Sequence, residues 1–363
     1  MTGKLGARWK PLKDLVIRGS YGRGFRAPGI GELFGSQSRF DAVINDPCSD
    51  FNRAEVPQAV RNRCIALGVP AGGGYEQLNP QISVTTGGNR GLKPETSDSY
   101  NFSVAYSPEA LKGKEWVEAL DLELTYWDVS LDGAIAPLDA QLQIDRCVSG
   151  GDDAACSGIK RQASGTIFDF ANTLQNIGGI ETRGVDLAMT FTMPRKPFGQ
   201  FRVTSQSSFL IDYWQKDPAA NGFEITELEG TVAGEPERAF PKLKSSLVID
   251  WFFGEWAAGL TTRYIHKVRE QCRDLAGNEG TCSDFNETDD SLSTNLLDPT
   301  IYNDVQATWR PKAAPDLTVT AGVNNLLNQD PPTCYSCSLN GFNGTTYDVP
   351  GVFGYVSAAY QLQ

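Results

Sequence analysis

Apolar and polar positions alternate along most of this chain. Leu120, Leu122, Leu124 and Tyr126 are interleaved with Asp121, Glu123 and Thr125. Val185, Leu187, Met189 and Phe191 alternate with Asp186, Ala188 and Thr190, and Leu317, Val319, Ala321 and Val323 with Thr318, Thr320 and Gly322. A period of two sends successive side chains to opposite faces of a strand, so one face is apolar and the other wet. Eleven segments predict strands on this basis, at about 3–10, 14–24, 95–107, 116–134, 179–193, 200–215, 241–252, 255–268, 300–310, 316–328 and 351–362.

The connections between them alternate strictly in length. Short ones fall at about 11–13, 108–115, 194–199, 253–254 and 311–315, and long ones at about 25–94, 135–178, 216–240, 269–299 and 329–350. In an up-and-down meander, tight turns then collect at one end of the sheet and large loops at the other. The fold class this predicts is all-β, an antiparallel up-and-down transmembrane β-barrel. A soluble β-sandwich gives no reason for such sorting. The tryptophans agree with the barrel. Trp9, Trp116, Trp251, Trp256 and Trp309 lie close to short turns, where a membrane–water girdle would sit, and Tyr213 and Trp214 beside a long loop predict a second girdle.

Composition narrows the choice. Of 363 residues, 40% are hydrophobic, yet no apolar run has the length of a spanning helix. The net charge of −12 argues against a nucleic-acid partner. Eight cysteines fall in near neighbours within the long connections: Cys48 and Cys64, Cys147 and Cys156, Cys272 and Cys282, Cys334 and Cys337. They predict four loop-stapling disulfides and an oxidising compartment. A zinc site at Cys334–Cys337 lacks a second such pair, and the single histidine, His266, leaves no Ser–His–Asp arrangement. No catalytic residue, cofactor or metal site is expected. Gly22-Arg-Gly-Phe-Arg-Ala27 matches a dinucleotide-binding spacing, but Pro28 follows where a helix is needed. Arg23 and Arg26 within it are candidate lumen- or ligand-facing residues. Met1 is followed at once by Thr-Gly-Lys and strand-like sequence, without a signal peptide. For an exported β protein, this gives the expectation of a fragment whose N-terminus lies upstream.

Several stretches carry a family resemblance. They are Arg18-Gly-Ser-Tyr-Gly-Arg-Gly-Phe-Arg-Ala-Pro28, Leu92-Lys-Pro-Glu-Thr-Ser-Asp-Ser-Tyr100, Asn176-Ile-Gly-Gly-Ile-Glu-Thr-Arg-Gly-Val-Asp186 and the last 42 residues, Gly322–Gln363. In order and spacing the chain resembles the C-terminal barrel portion of TonB-dependent outer-membrane receptors. The resemblance implies a barrel of about 22 strands filled by an N-terminal plug, with residues 1–363 supplying half the wall and neither plug nor signal peptide. It implies residence in the outer membrane of a Gram-negative bacterium and active uptake of a scarce nutrient, a carbohydrate, siderophore or similar. Its implied partners are outer-membrane lipid, the barrel-assembly machinery, the nutrient ligand, and TonB through the missing plug. The cysteine-bearing loops with Asp46-Pro-Cys48 look like a subgroup associated with carbohydrate scavenging. Rival readings are a passive porin and a secreted β-sandwich or lectin-like module. Residues 216–239 carry six acids against Lys216 and Arg238, and 269–299 carry eight against Arg269 and Arg273, which disfavours a strongly anionic ligand there.

Overall fold

The computed structural model describes residues 2–220, 222–233, 238–271, 294–335, 337 and 341–361. Eleven strands form one meandering sheet: β1 (Gly3–Leu12), β2 (Leu15–Arg26), β3 (Glu95–Tyr106), β4 (Ala119–Asp132), β5 (Gly179–Thr192), β6 (Gln200–Ala219), β7 (Leu243–Phe253), β8 (Trp256–Ile265), β9 (Thr300–Trp309), β10 (Leu317–Asn324) and β11 (Phe353–Tyr360). Each pairs antiparallel with its neighbours in sequence, and Gly222–Glu227 adds a flap to β6. Among the described residues the other sheets have only two to four strands, all in the long connections, an arrangement unlike the two facing sheets of a sandwich. All eleven strands stand where the alternation predicts them. β1 and β11 end the strand order and do not pair with each other.

Register carries the alternation across the wall. Val104 stands opposite Leu124, Leu124 opposite Leu187, Phe191 opposite Val203, Val203 opposite Ile249, Ile249 opposite Leu260, Leu260 opposite Val305, and Val305 opposite Val323. These side chains form one continuous apolar band, and several are exposed to the surroundings, such as Leu124, Leu187 and Leu260. The other face is polar and internally paired. Arg18 meets Glu123 at 3.3 Å, Ser208 donates to Asp186 at 2.6 Å, and Arg263 meets Asp304 at 3.3 Å. Such a division suits a wall with lipid on one side and water on the other.

Aromatic rings mark the short-turn end. Trp256 stacks on Trp309 at 5.9 Å, Trp251 on Phe253 at 5.7 Å, and Lys196 sits 5.0 Å over Trp116. The second expected girdle is only half present. Tyr213 packs inward on Phe240 at 4.5 Å, while Trp214, its neighbour, lies under Arg183. Adjacent strand residues point to opposite faces, so Tyr213 and Trp214 cannot both belong to one belt.

The long connections fold into two lobes at the other end. The first combines residues 27–94 and 133–178. It contains helices α1 (Gln58–Ala66) and α2 (Ala140–Val148) and the hairpin of Ser38–Val43 with Gln81–Thr86. Asp139 caps α2, accepting from the Leu142 amide at 2.9 Å. Ile44, Phe51, Val84, Ile144 and Phe170 form the lobe's core, closed by the Cys48–Cys64 and Cys147–Cys156 disulfides. The second lobe gathers Val232, Val268, Leu297 and Tyr347 around Tyr302 of the wall. Here Thr231–Ala233 runs parallel to Val268–Gln271, and Cys334 is bonded to Cys337, which removes the zinc reading. The expected Cys272–Cys282 link lies outside the described residues.

Candidate functional site

The wall delivers its chain ends to the loop lobes through two clamps. Arg26, the last residue of β2, donates to both carboxylate oxygens of Glu95, at 2.6 and 2.7 Å, and to Glu32 at 3.0 Å. Glu95 also accepts from the Ile135 amide at 2.7 Å. Arg26 therefore ties the exit into the first long connection to its return strand and to the start of the second. The Glu32 carboxyl is held below the usual glutamate range by Arg26 and then by the Gly29 amide. Arg23 lies on the opposite face, opposite Asp98 in register and on the side of Tyr21 and Tyr100. Residues three apart in an unbroken strand cannot share a face, so of the two candidate lumen residues only Arg26 stands on the polar side. On the far side of the wall, Arg263 reaches Asp348 at 2.5 Å and lies 5.0 Å over the Tyr302 ring, securing the second lobe.

A buried ion pair holds the first lobe together. Arg161 grips Asp46 with two hydrogen bonds, at 2.5 and 2.8 Å, and both side chains are almost fully buried. Tyr75 donates to the same carboxylate at 2.7 Å, and the Cys48 amide does so at 2.9 Å. Asp46 thus has a satisfied set of donors in a dry site, which a buried carboxylate requires. Burial holds the Tyr75 phenol above the usual tyrosine range, with Asp46 adding to the effect. The pair joins two connections 115 residues apart in sequence. In the sequence Asp46 stood out only as part of Asp46-Pro-Cys48, a stretch quoted for its family resemblance and not for a charge pair. Arg161 carried no local signal, because its partner is distant along the chain.

Between the lobes and β6 lies a cleft of about 980 Å³. Phe40, Val43 and Leu138 line it from the first lobe, Phe240 from the second, and Tyr213 from the wall. Lys216 and Arg238 also line it, together with the acids Asp139 and Asp217. Lys216 and Arg238 are the two cations that residues 216–239 possess. A largely apolar concavity with a few charged groups is the usual form of a small-molecule site. His266 sits one residue past β8 with its Nδ1 2.8 Å from the Tyr264 hydroxyl, and no cluster of metal-ligating groups occurs among the described residues.

Comparison with known proteins bears on the wall as a whole. Residues 1–326 match the family model described as TonB dependent receptor-like, β-barrel. No curated protein sequence matches the chain. Similar solved structures include a mutant of the ferric enterobactin receptor PfeA from Pseudomonas aeruginosa, at 15% identity and a TM-score of 0.55. The siderophore receptor PirA from Acinetobacter baumannii aligns at 14% and 0.56, and the FrpB iron transporter from Neisseria meningitidis at 14% and 0.51. Each alignment covers 99% of this chain but only 39–40% of the other. The chain therefore spans about two fifths of the length of those receptors, and at such identities the likeness concerns the fold. With its family model matched over nearly the whole wall, the chain belongs to the TonB-dependent receptor β-barrel family.

Proposed function

We propose that this chain supplies wall and outer loops to an outer-membrane receptor that takes up a scarce nutrient with energy delivered through TonB. The observation that carries the reading is the division of the sheet. One continuous apolar band faces away from a polar, ion-paired side, with tight turns at one end and two built lobes at the other. The family match supports the same assignment. In this reading residues 1–363 are half of a wall of about 22 strands, and a plug fills the polar side. Outer-membrane lipid surrounds the apolar band, the barrel-assembly machinery inserts the strands, and the protein is not an enzyme. The cleft beside Phe40, Tyr213 and Lys216 receives the nutrient.

The similar structures are named for iron and siderophore uptake, and the Asp46-Pro-Cys48 loops resemble those of carbohydrate scavengers. A largely apolar cleft whose charged groups are balanced, Lys216 and Arg238 beside Asp139 and Asp217, suits a ligand with an apolar or planar body better than a bare sugar. The decisive experiment expresses the longest reading frame containing residues 1–363 in a strain lacking its own receptors. Uptake of candidate nutrients is measured with and without a proton-motive uncoupler. Uptake that the uncoupler abolishes is expected, and uncoupler-insensitive uptake would instead indicate a passive pore.

A further inference from the structure

At the short-turn end of the polar face, three hairpins enclose a pocket of about 380 Å³. Its lining includes Arg195 from the turn after β5, Arg202 from β6 and Arg310 from the turn after β9. Gln200, Ala257 and Thr308 complete its floor, and all three project from the polar side of the wall. Elsewhere on that side several arginines are neutralised in place, Arg18 by Glu123, Arg26 by Glu95 and Arg263 by Asp304, while Arg8, opposite Arg18, makes no ion pair among the described residues. The rim three differ from the paired arginines in charge balance and from Arg8 in lining one pocket together. Among the described residues none of them makes an ion pair. Arg202 stands across the ladder from Asp250, yet it lies over the Phe252 ring at 5.9 Å instead. The one acid in the lining, Glu255, is already engaged, accepting from the Trp309 indole at 3.3 Å and facing Lys312 at 3.9 Å. In a chain with 44 acids and 32 basic residues, a pocket ringed by three uncompensated guanidinium groups runs against the general charge.

We propose that Arg195, Arg202 and Arg310 form a carboxylate-binding site at the short-turn rim, facing the polar side of the wall. The guanidinium fork matches a carboxylate through two parallel hydrogen bonds, and the aromatic floor under Arg202 holds one fork in position. Two sources offer the same chemistry. One is acidic side chains of a polypeptide segment lodged against the wall, and the other is a free di- or tricarboxylate.

The test uses the longest reading frame containing residues 1–363, purified from outer membranes in detergent. Labelling with an arginine-selective dicarbonyl, read by mass spectrometry, compares the rim arginines with Arg39 of the first lobe, which is exposed and outside any described ion pair. Several-fold lower modification at Arg195, Arg202 and Arg310 is expected. Protection lost on dialysis and restored by citrate assigns a free carboxylate. Protection that survives dialysis is followed in the R202K and R310K proteins, which keep the charge and supply an amine for carbodiimide coupling. A coupled peptide then names the acidic segment. Two results overturn the proposal: modification equal to that of Arg39 with citrate present, or lasting protection with no coupled carboxylate.

Discussion

At the scale of single residues, the Asp46–Arg161 pair is the most demanding feature of the loops. A buried pair contributes little over an apolar substitute, but breaking it leaves a lone charge in a dry site. Arg161→Met should therefore destabilise the first lobe by about 3–5 kcal/mol, whereas replacing both partners with apolar residues should cost far less. Hydrogen exchange in residues 44–52 and 159–170 reads the difference, and equal effects of the single and double changes would count against a desolvated pair. The buried tyrosines give a pH dependence. Burial raises the Tyr75 phenol and pushes Tyr347 up to about 12. A raised folded value favours the neutral form in the folded protein. The associated stability is thus complete below about pH 10, the ordinary tyrosine value, and is lost as pH climbs through the folded values. Phenolate absorbance should show a late-ionising class that shrinks in Tyr75→Phe and Tyr347→Phe. Ionisation of every tyrosine together near the ordinary value would contradict the burial.

At the scale of strands, the two faces respond differently to charge. Arginine at Leu122, Leu187 or Val319 should cost about 2–4 kcal/mol near the bilayer midplane, while Thr320→Arg on the polar face should be mild. Folding titrations into lipid vesicles measure both, and matching costs would refute the assignment of faces. Glu123→Arg is less innocuous than its position alone indicates, since it also removes the partner of Arg18. Close packing adds a second constraint. A Cβ on Gly184 would lie 2.5 Å from the Trp127 ring and 2.6 Å from the Phe209 carbonyl oxygen. Gly184→Ala should destabilise β4–β6 by about 1–3 kcal/mol, seen as a lower denaturant midpoint. The strands were legible because a period of two is written locally: Leu120 to Tyr126 reads correctly without knowledge of any neighbour. Helix α1 was not, because Gln58–Ala66 carries no ordered apolar stripe and is held by the Cys48–Cys64 bond and its lobe. The cleft was equally hidden, since Phe40, Leu138 and Arg238 meet only after three long connections have folded. The acidic count of residues 216–239 was accurate, but it could not show where Lys216 and Arg238 point.

At the scale of the whole molecule, the open sheet limits what the chain can do alone. β1 and β11 each present an edge, and unpaired backbone groups in hydrocarbon cost several kcal/mol apiece, about the worst environment for them. Residues 1–363 exported by themselves should give no uncoupler-sensitive uptake, and such uptake would show that this sheet closes without further strands. In water, the exposed band would exceed what a soluble monomer tolerates, so aggregation in the absence of detergent is expected as well.

The joint between Asp46 and Arg161 bears also on how such receptors diversify. Each described disulfide closes within one connection, so by that criterion any loop could be exchanged together with its own staple. The joint forbids this for the first lobe. Arg161 from one connection completes Asp46 from another, and Arg63 of α1 donates to the Cys147 carbonyl at 3.0 Å. A graft of residues 27–94 without 133–178 would import half of a buried ion pair. The heritable module is therefore the two loops together, a cassette split across β3 and β4. Recombination that exchanges the first lobe must carry both pieces, and the strands between them, in a single exchange.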